Sequence, residues 1–319
     1  MKYYDVFNGD ADGICSLHQL RMTQPRVSAL VTGVKRDIKL LKKISAQSQD
    51  KITVLDISFQ KNVEDIDRLL KTGCSIEYFD HHYAGEITSN SNLTTHIYTE
   101  PNICTSLIVN NFIKSKYIGW ALVGTFGDNL NKTAIALAKQ IKITAKELKS
   151  LENLGNYINY NSYGESIDDL HIHPVKLYKS LSEYTNPLEF INSEEVFELL
   201  ESGFNDDNKN LLNIIPDHSD NKSEIYFLPN ELWAHRIIGL FSNNLAQKNR
   251  KKAHAILIEM DEGFKVSVRA PLEKPIGADE LCLRFDSGGG RKAAAGINNL
   301  VRKDLEEFIG NFLKHKWQY

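Results

Sequence analysis

No CxxC pair occurs among the four cysteines, Cys15, Cys74, Cys104 and Cys282, so neither a zinc ribbon nor a disulfide framework is indicated. A strong charge of either sign is also missing. Against 41 acidic side chains stand 38 Lys and Arg, leaving a net charge of −3. The chain therefore exerts no global attraction on a nucleic-acid backbone, and such a substrate must be short or gripped by local basic groups. Long hydrophobic runs are absent too. The longest uncharged apolar-rich stretch, Tyr117 to Gly127, is too short to span a bilayer. Strand-like sequence begins almost at Met1, which leaves no room for a signal peptide and makes the cytoplasm the expected location. There is no internal repeat and no low-complexity tract. What is present, 42% apolar and 25% charged residues in 319, is the composition of a globular protein long enough for two domains.

The first part of the chain alternates strand-like and helix-like segments. Strands are expected at 3–7, 27–32, 52–56, 75–79 and 94–98, with helices near 12–23, 37–46, 60–72 and 103–114. That rhythm predicts an α/β fold with a mostly parallel, doubly wound sheet. Trp120 to Gly127 reads as a glycine-rich strand running into Asp128, and about 133–215 forms a helical segment broken by Asn, Gly and Tyr loops. The turn-rich Ile215-Pro216-Asp217-His218-Ser219-Asp220-Asn221 marks a boundary, giving domains at 1–215 and 222–319. In the second, smaller α/β domain, a strand at 224–228 leads to a helix at 233–247 and to strands at 253–259 and 264–270. Glu262-Gly263 suits the hairpin turn between the last two. A glycine run at 288–290, an alanine-rich helical segment and a helix near 302–314 complete the chain.

Acidic and imidazole side chains stand at the ends of the early apolar runs. Tyr3 to Phe7 leads into Asn8-Gly9-Asp10-Ala11-Asp12-Gly13, Ile52 to Leu55 stops at Asp56, and Ser75 to Phe79 ends in Asp80-His81-His82. Ligands of open α/β sheets collect beyond the carboxyl ends of the strands. Imidazole nitrogen with carboxylate oxygen is a donor mixture that manganese, iron and zinc accept. Singly, each residue has a plainer reading: Asp12 or Asp56 as a helix cap or turn residue, and Asp128 as a turn residue before Asn129. The DxDG string also resembles part of a calcium loop, but no bidentate Glu follows at suitable spacing. In the second domain, Gly288, Gly289 and Gly290 can let backbone N–H groups approach an anion. Arg269, Arg291 and Lys292 would add local positive charge; the plainer reading there is a turn before an alanine helix. His235-Arg236 and the basic 247–252 are also available, the latter as a solvated helix end.

Taken in order, these strings resemble the DHH phosphoesterase superfamily. Motif I looks like Asp10-Ala11-Asp12-Gly13, motif II like Asp56, motif III like Asp80-His81-His82 and motif IV like Gly127-Asp128. Gly288 to Gly296 resembles the GGH-x-x-AAG signature of the DHHA1 domain, and Val266-Ser267-Val268-Arg269 the strand before it. The resemblance covers nearly the whole chain. It implies a catalytic domain and a substrate-binding domain with a cleft between them, and two divalent ions, usually manganese. By motif, Asp10 would hold the first ion and Asp12 the second, Asp56 would bridge them, and His81 and Asp128 would complete the second site. His82 would face the scissile phosphate and Asp80 would orient its neighbours. Paired ions about 3.5–4 Å apart acidify a water to hydroxide and neutralise phosphoryl oxygens during in-line attack. Three positions depart from the pattern. Val6 stands where many relatives carry histidine, Asn8 where the superfamily's exonucleases have aspartate, and Arg291 where the DHHA1 signature has histidine. Arginine remains a good two-point donor to phosphate.

The resemblance implies a manganese-dependent phosphodiesterase acting on short oligoribonucleotides or linear dinucleotides such as pGpG, with nucleoside 5′-monophosphates as products. Low net charge and the lack of an added nucleic-acid-binding module favour short substrates over long duplexes. Arg269 and Arg291 would anchor a terminal phosphate. Hydrolysis of a cyclic dinucleotide or of pAp is the enzymatic alternative. A nucleotide sensor with a weakened active site, supported by Val6, is the alternative from another class. No membrane partner is expected, and a homodimer is left open.

Overall fold

The computed structural model describes residues 1–87, 89–193 and 195–317. It comprises two compact units, Met1–Phe204 and Asn205–Tyr319.

The first unit begins with β1 (Tyr3–Phe7), α1 (Ala11–Thr23), β2 (Ala29–Val31), β3 (Lys51–Leu55), α2 (Val63–Leu70), β4 (Ser75–Asp80) and β5 (Leu93–Ile97). The strands form one parallel sheet in the order β2-β1-β3-β4-β5. Both faces of the central strands β1, β3 and β4 are covered, which is why these read as nearly continuous apolar runs. Val6, Ile52, Val54, Ile76 and Tyr78 pack with Leu40, Ile66 and Leu69 on one face. Phe7, Leu55 and Phe79 meet Ile14 and Leu17 of α1 on the other. Only a short 3-10 turn, Leu40–Lys43, forms where a helix is expected over 37–46. Backbone carbonyls there are taken by side chains. Ile38 accepts from Asn62 at 2.7 Å, and the Arg68 guanidinium donates to Leu41 and Ile44 at 3.0 and 3.1 Å.

The rest of the unit is helical: α3 (Thr105–Phe112), α4 (Ile118–Gly127), α5 (Asn131–Ala138), α6 (Ala145–Asn161), α7 (Pro174–Ser182), α8 (Pro187–Ser193) and the part of α9 (Glu195–Asn210) up to Phe204. The glycine-rich stretch before Asp128 is therefore a helix, not the expected strand. Its glycines serve contact between helices. A Cβ on Gly124 would lie 2.0 Å from Ser106 Oγ of α3, and one on Gly127 would lie 2.3 Å from Ala11 Cβ of α1. α4 is capped by Asp128, and Asn129 just beyond adopts left-handed φ of 61° while the Leu130 N–H reaches back to the Thr125 carbonyl at 3.1 Å. This glycine-like termination leaves Asp128 as the last turn's side chain.

The second unit carries β6 (His218–Ser219), β7 (Ser223–Leu228), α10 (Leu232–Lys248), β8 (Ala253–Met260), β9 (Gly263–Arg269), α11 (Ala278–Cys282), β10 (Gly288–Arg291), β11 (Ala294–Val301) and α12 (Leu305–Lys314). Its mixed sheet has the order β10-β11-β9-β8-β7-β6, with β7 and β8 parallel. Met260 pairs with Gly263, so the β8–β9 turn is Asp261-Glu262, one residue earlier than expected. The alanine-rich segment is strand β11 rather than a helix. Gly290, at φ +145°, allows its backbone so close to β11 that a Cβ would sit 2.4 Å from Ala295 Cα. Residues 205–215 lie with this unit, ahead of the turn-rich segment where the sequence suggests a boundary. Asp207 accepts two bonds from Arg236 at 2.7 and 2.9 Å, and Leu211 and Ile214 pack against the α10 core. Among the described residues no helix is long and apolar enough to cross a membrane.

Two predictions concern stability. His18 is buried, edge-on to Trp120 with ring centroids 4.8 Å apart, and its Nε2–H donates to the Tyr184 carbonyl at 2.9 Å. Burial pushes its pKa down from 6.5 to about 4, offset only partly by that bond. The unfolded chain therefore takes up a proton first as the pH falls. The His18 contribution is complete above pH 6.5 and is lost toward pH 4, by up to about 1.4 kcal/mol per pH unit. Urea unfolding of His18→Gln should show a flatter pH dependence between pH 6.5 and 5 than the native chain; an equal slope would contradict a neutral buried imidazole. Gly290→Ala should destabilise the second unit by about 1–3 kcal/mol through backbone strain, read as a lower Tm; an unchanged Tm would contradict the close β10–β11 approach.

Candidate metal centre

The carboxyl ends of β1, β3 and β4 form one rim, where the strand order reverses between β1 and β3. Crevices for ligands open at such switch points. Backbone bonds tie the rim together: the Asn8 N–H donates to Leu55 O at 3.2 Å and the Asp56 N–H to Phe79 O at 3.0 Å. Asp10 is the N-cap of α1, its Oδ1 accepting from the Gly13 N–H at 3.0 Å. The capping role that sequence offered to Asp12 thus falls to Asp10. Asp12, in the first turn of α1, instead receives the first two N–H groups of α3, from Thr105 at 2.8 Å and Ser106 at 2.6 Å. A helix N-terminus favours such an anion. Asp56 sits in the left-handed region at φ 59°, a conformation uncommon outside glycine and one that concentrates at functional sites.

Asp80 is fully buried and acts through its neighbours. It accepts from the Phe59 N–H at 3.3 Å, the His81 N–H at 2.9 Å and the His82 Nδ1 at 2.7 Å. Its carboxylate thus orients the His82 ring, whose side chain is 34% exposed. His81, its ring centroid 4.4 Å from that of His82, reaches into the acidic cluster. Its Nε2 lies 3.4 Å from Asp56 Oδ1, 3.9 Å from Asp128 Oδ2 and 4.0 Å from Asp12 Oδ2. Asp12, His81 and Asp128 present donor atoms within 4.8 Å of one another, as do Asp56, His81 and His82. Thr105 Oγ1 adds a bond to Asp56 Oδ1 at 3.2 Å.

Electrostatics fit a cation. Burial, reinforced by the charges of Asp12 and Asp10, raises the Asp56 pKa well above the carboxylate range. Burial likewise raises Asp128, with His81 opposing and Asp12 adding to the effect. Burial alone would lower His81, but the hydrogen bond and charge of Asp56, then Asp128 and Asp12, push it up to about 10. Carboxylates held together away from water need compensating positive charge. Asp12, Asp56, His81 and Asp128 fit a divalent ion by donor type and convergence.

Asp10 differs. Burial would raise its pKa, but the Lys35 ammonium bonded to Oδ2 holds it below the carboxylate range. Lys35 enters from the loop after β2 and also donates to Asn159 Oδ1 at 2.8 Å. Sequence reasoning missed Lys35, Thr105 and Asn159. No motif flags them, and the one available signal was that Lys35 follows a parallel strand's carboxyl end.

The remaining predicted residues lie in the second unit. Arg291, Ala294 and Arg269 are direct partners across β10, β11 and β9, so their side chains share a face with Ala294 between them. Arg291 is exposed. The Arg269 guanidinium is braced by Asn243 Oδ1 at 2.9 Å, Ser267 Oγ at 3.1 Å and Val268 O at 3.1 Å. Gly288, Gly289 and Gly290 are strand residues paired with β11, rather than a free anion-binding loop. Gly289 shares the arginine face, where a Cβ would meet nothing within 4 Å.

The sequence matches no family model and no curated protein. The structure, by contrast, is similar to exonuclease RecJ bound to manganese, with TM-score 0.64 and 16% identity over 98% of this chain and 89% of that one. The DHH domain of a member of a family of ribosomal proteins matches at TM-score 0.68 and 11% identity, covering 98% and 86%. A pGpG-specific phosphodiesterase from Vibrio cholerae matches at TM-score 0.54 and 14% identity, covering 97% of each chain. These likenesses are of fold. The fold is shared with these proteins, one of them a DHH domain, the domain whose motifs the sequence resembles in order.

The crowding of carboxylates generates a prediction with two signs. Asp56→Asn should leave the metal-free protein at least as stable, because it removes a buried charge its neighbours oppose and asparagine tolerates left-handed φ. The same change should abolish stabilisation by added manganese. Thermal unfolding with chelator and with manganese checks both; a Tm several degrees lower in chelator would contradict the electrostatic account.

Proposed function

We propose that the chain is a divalent-metal-dependent phosphodiesterase that hydrolyses linear dinucleotides and very short oligoribonucleotides to nucleoside 5′-monophosphates. The observation that carries this reading is the convergence of Asp12, Asp56 and Asp128 on His81 Nε2, with His82 at its edge. Asp12, Asp56, His81 and Asp128 would hold the metal, and manganese suits their mixture of oxygen and nitrogen donors. When bound, a divalent cation there lowers the pKa of water and neutralises phosphoryl oxygen charge.

The chain's own residues supply the rest. Asp80 accepts from His82 Nδ1, fixing the tautomer so that Nε2 meets the phosphate or the leaving oxygen. The α3 N-terminus and Thr105 hold the Asp12 and Asp56 carboxylates in position before substrate arrives. In the second unit, Arg269 and Arg291 across Ala294 form a two-guanidinium grip for a terminal phosphate, with Gly289 leaving that face open. A net charge of −3 supports short substrates, which need local rather than global attraction. The fold shared with a pGpG-specific phosphodiesterase supports the dinucleotide.

Initial rates on pGpG, cyclic di-GMP, pAp, pyrophosphate and a long single-stranded RNA, all in manganese buffer, test the reading. pGpG should turn over fastest, and His82→Ala should lower kcat by about 10²–10⁴-fold while manganese binding persists. Faster turnover of the long RNA would overturn the short-substrate claim. Manganese-independent nucleotide binding without turnover would favour a sensor.

A further inference from the structure

We infer that Lys35 replaces one of the two divalent cations its fold relatives lead one to expect, so that the first unit holds a mononuclear centre made by Asp12, Asp56, His81 and Asp128. The inference rests on the metal-centre reading above and changes its count. Asp10 differs from those four in its partners rather than by distance: its carboxyl lies within hydrogen-bond reach of Asp56, yet one oxygen takes the Gly13 N–H and the other the Lys35 ammonium. Among the described residues, neither group of converging donor atoms includes it.

Lys35 is built into this position. Its Nζ is also held by Asn159 Oδ1 of α6 at 2.8 Å and lies 5.8 Å from the Tyr163 ring centre, and its own N–H donates to Ser162 O at 2.9 Å. The neighbouring motif positions add little to an ion site around Asp10. Val6 is fully buried in the apolar cluster on the far face of the sheet and offers no donor. The Asn8 side chain is a neutral amide whose Nδ2 reaches the Lys35 carbonyl at 3.4 Å. Its Oδ1 is buried without a hydrogen-bond partner, but one uncharged oxygen does not offset a dication. Asp10 is thus the partner of an ammonium, and a dication drawn to the same carboxylate would meet that positive charge at close range. A lysine there performs part of a metal's work. It neutralises a buried carboxylate and presents a fixed point charge to a phosphoryl oxygen.

Counting manganese on the purified chain, without substrate, decides the matter. Equilibrium dialysis against manganese chloride followed by elemental analysis should give one ion per native chain, with the paramagnetic resonance spectrum of an isolated manganese ion. Lys35→Ala, which uncovers Asp10, should raise the count to two and introduce the spin-coupled spectrum of a pair. Lys35→Met, which keeps a side chain of similar length without the charge, is the second variant if the alanine protein does not fold. Two ions on the native chain would overturn the inference while leaving the metal-centre reading intact, as would an unchanged count of one in a folded Lys35 variant. No bound manganese on the native chain would overturn both.

Discussion

Negative charge is forced together in a dry crevice, and the local architecture of the first unit is arranged around it. Asp10, Asp12, Asp56 and Asp80 are all buried at the carboxyl edge of one parallel sheet, with Asp128 beside them. Each is supported differently. Asp12 takes two N–H groups from the start of α3, Asp80 takes two N–H groups and an imidazole, and Asp10 takes an N–H and an ammonium. Asp56 takes a threonine hydroxyl and His81, lies within hydrogen-bond reach of Asp10, and occupies a left-handed backbone position. The deficit of positive charge therefore concentrates between Asp56 and Asp128, where the raised pKa values mark the place a cation would relieve.

A crowded acidic cluster of this kind needs a rigid frame, because mobile side chains would simply swing apart into water. The frame comes from packing on both faces of the sheet and from helices brought unusually close. Glycines at 124 and 127 let α4 lie against α3 and α1, and this contact sets where Asp128 ends. Asn129 then turns the chain away in left-handed conformation. The second unit uses small residues to a different end. Its glycines and alanines allow close strand pairing and leave a shelf between two arginines.

Legibility in the sequence followed the physics of each element. The three central strands of the first sheet, β1, β3 and β4, were readable because burial on both faces demands apolar, β-branched runs bounded by polar turns. The glycine-rich stretch before Asp128 reads as a strand yet folds as a helix, since periodicity does not separate a short buried helix from a buried strand. The alanine-rich segment departs in the opposite direction. High helix propensity there is overridden by the edge pairing that Gly290 permits. The 37–46 region lost its helix to side chains of Asn62 and Arg68, which claim the carbonyls a helix would use.

Short stretches of chain were enough to show that acids and imidazoles terminate successive parallel strands, since strand ends and their side chains are local properties. They thereby indicated Asp10, Asp12, Asp56, Asp80, His81 and His82 as neighbours at one rim. Which of these face a shared point, and which are occupied elsewhere, was settled by long-range packing alone. Lys35 reaches Asp10 across 25 residues and Asn159 across 124, and Thr105 reaches Asp12 across 93. Contacts of that separation exist only once the sheet closes and the helices pack, because no local pattern encodes which distant side chain will arrive beside a buried charge.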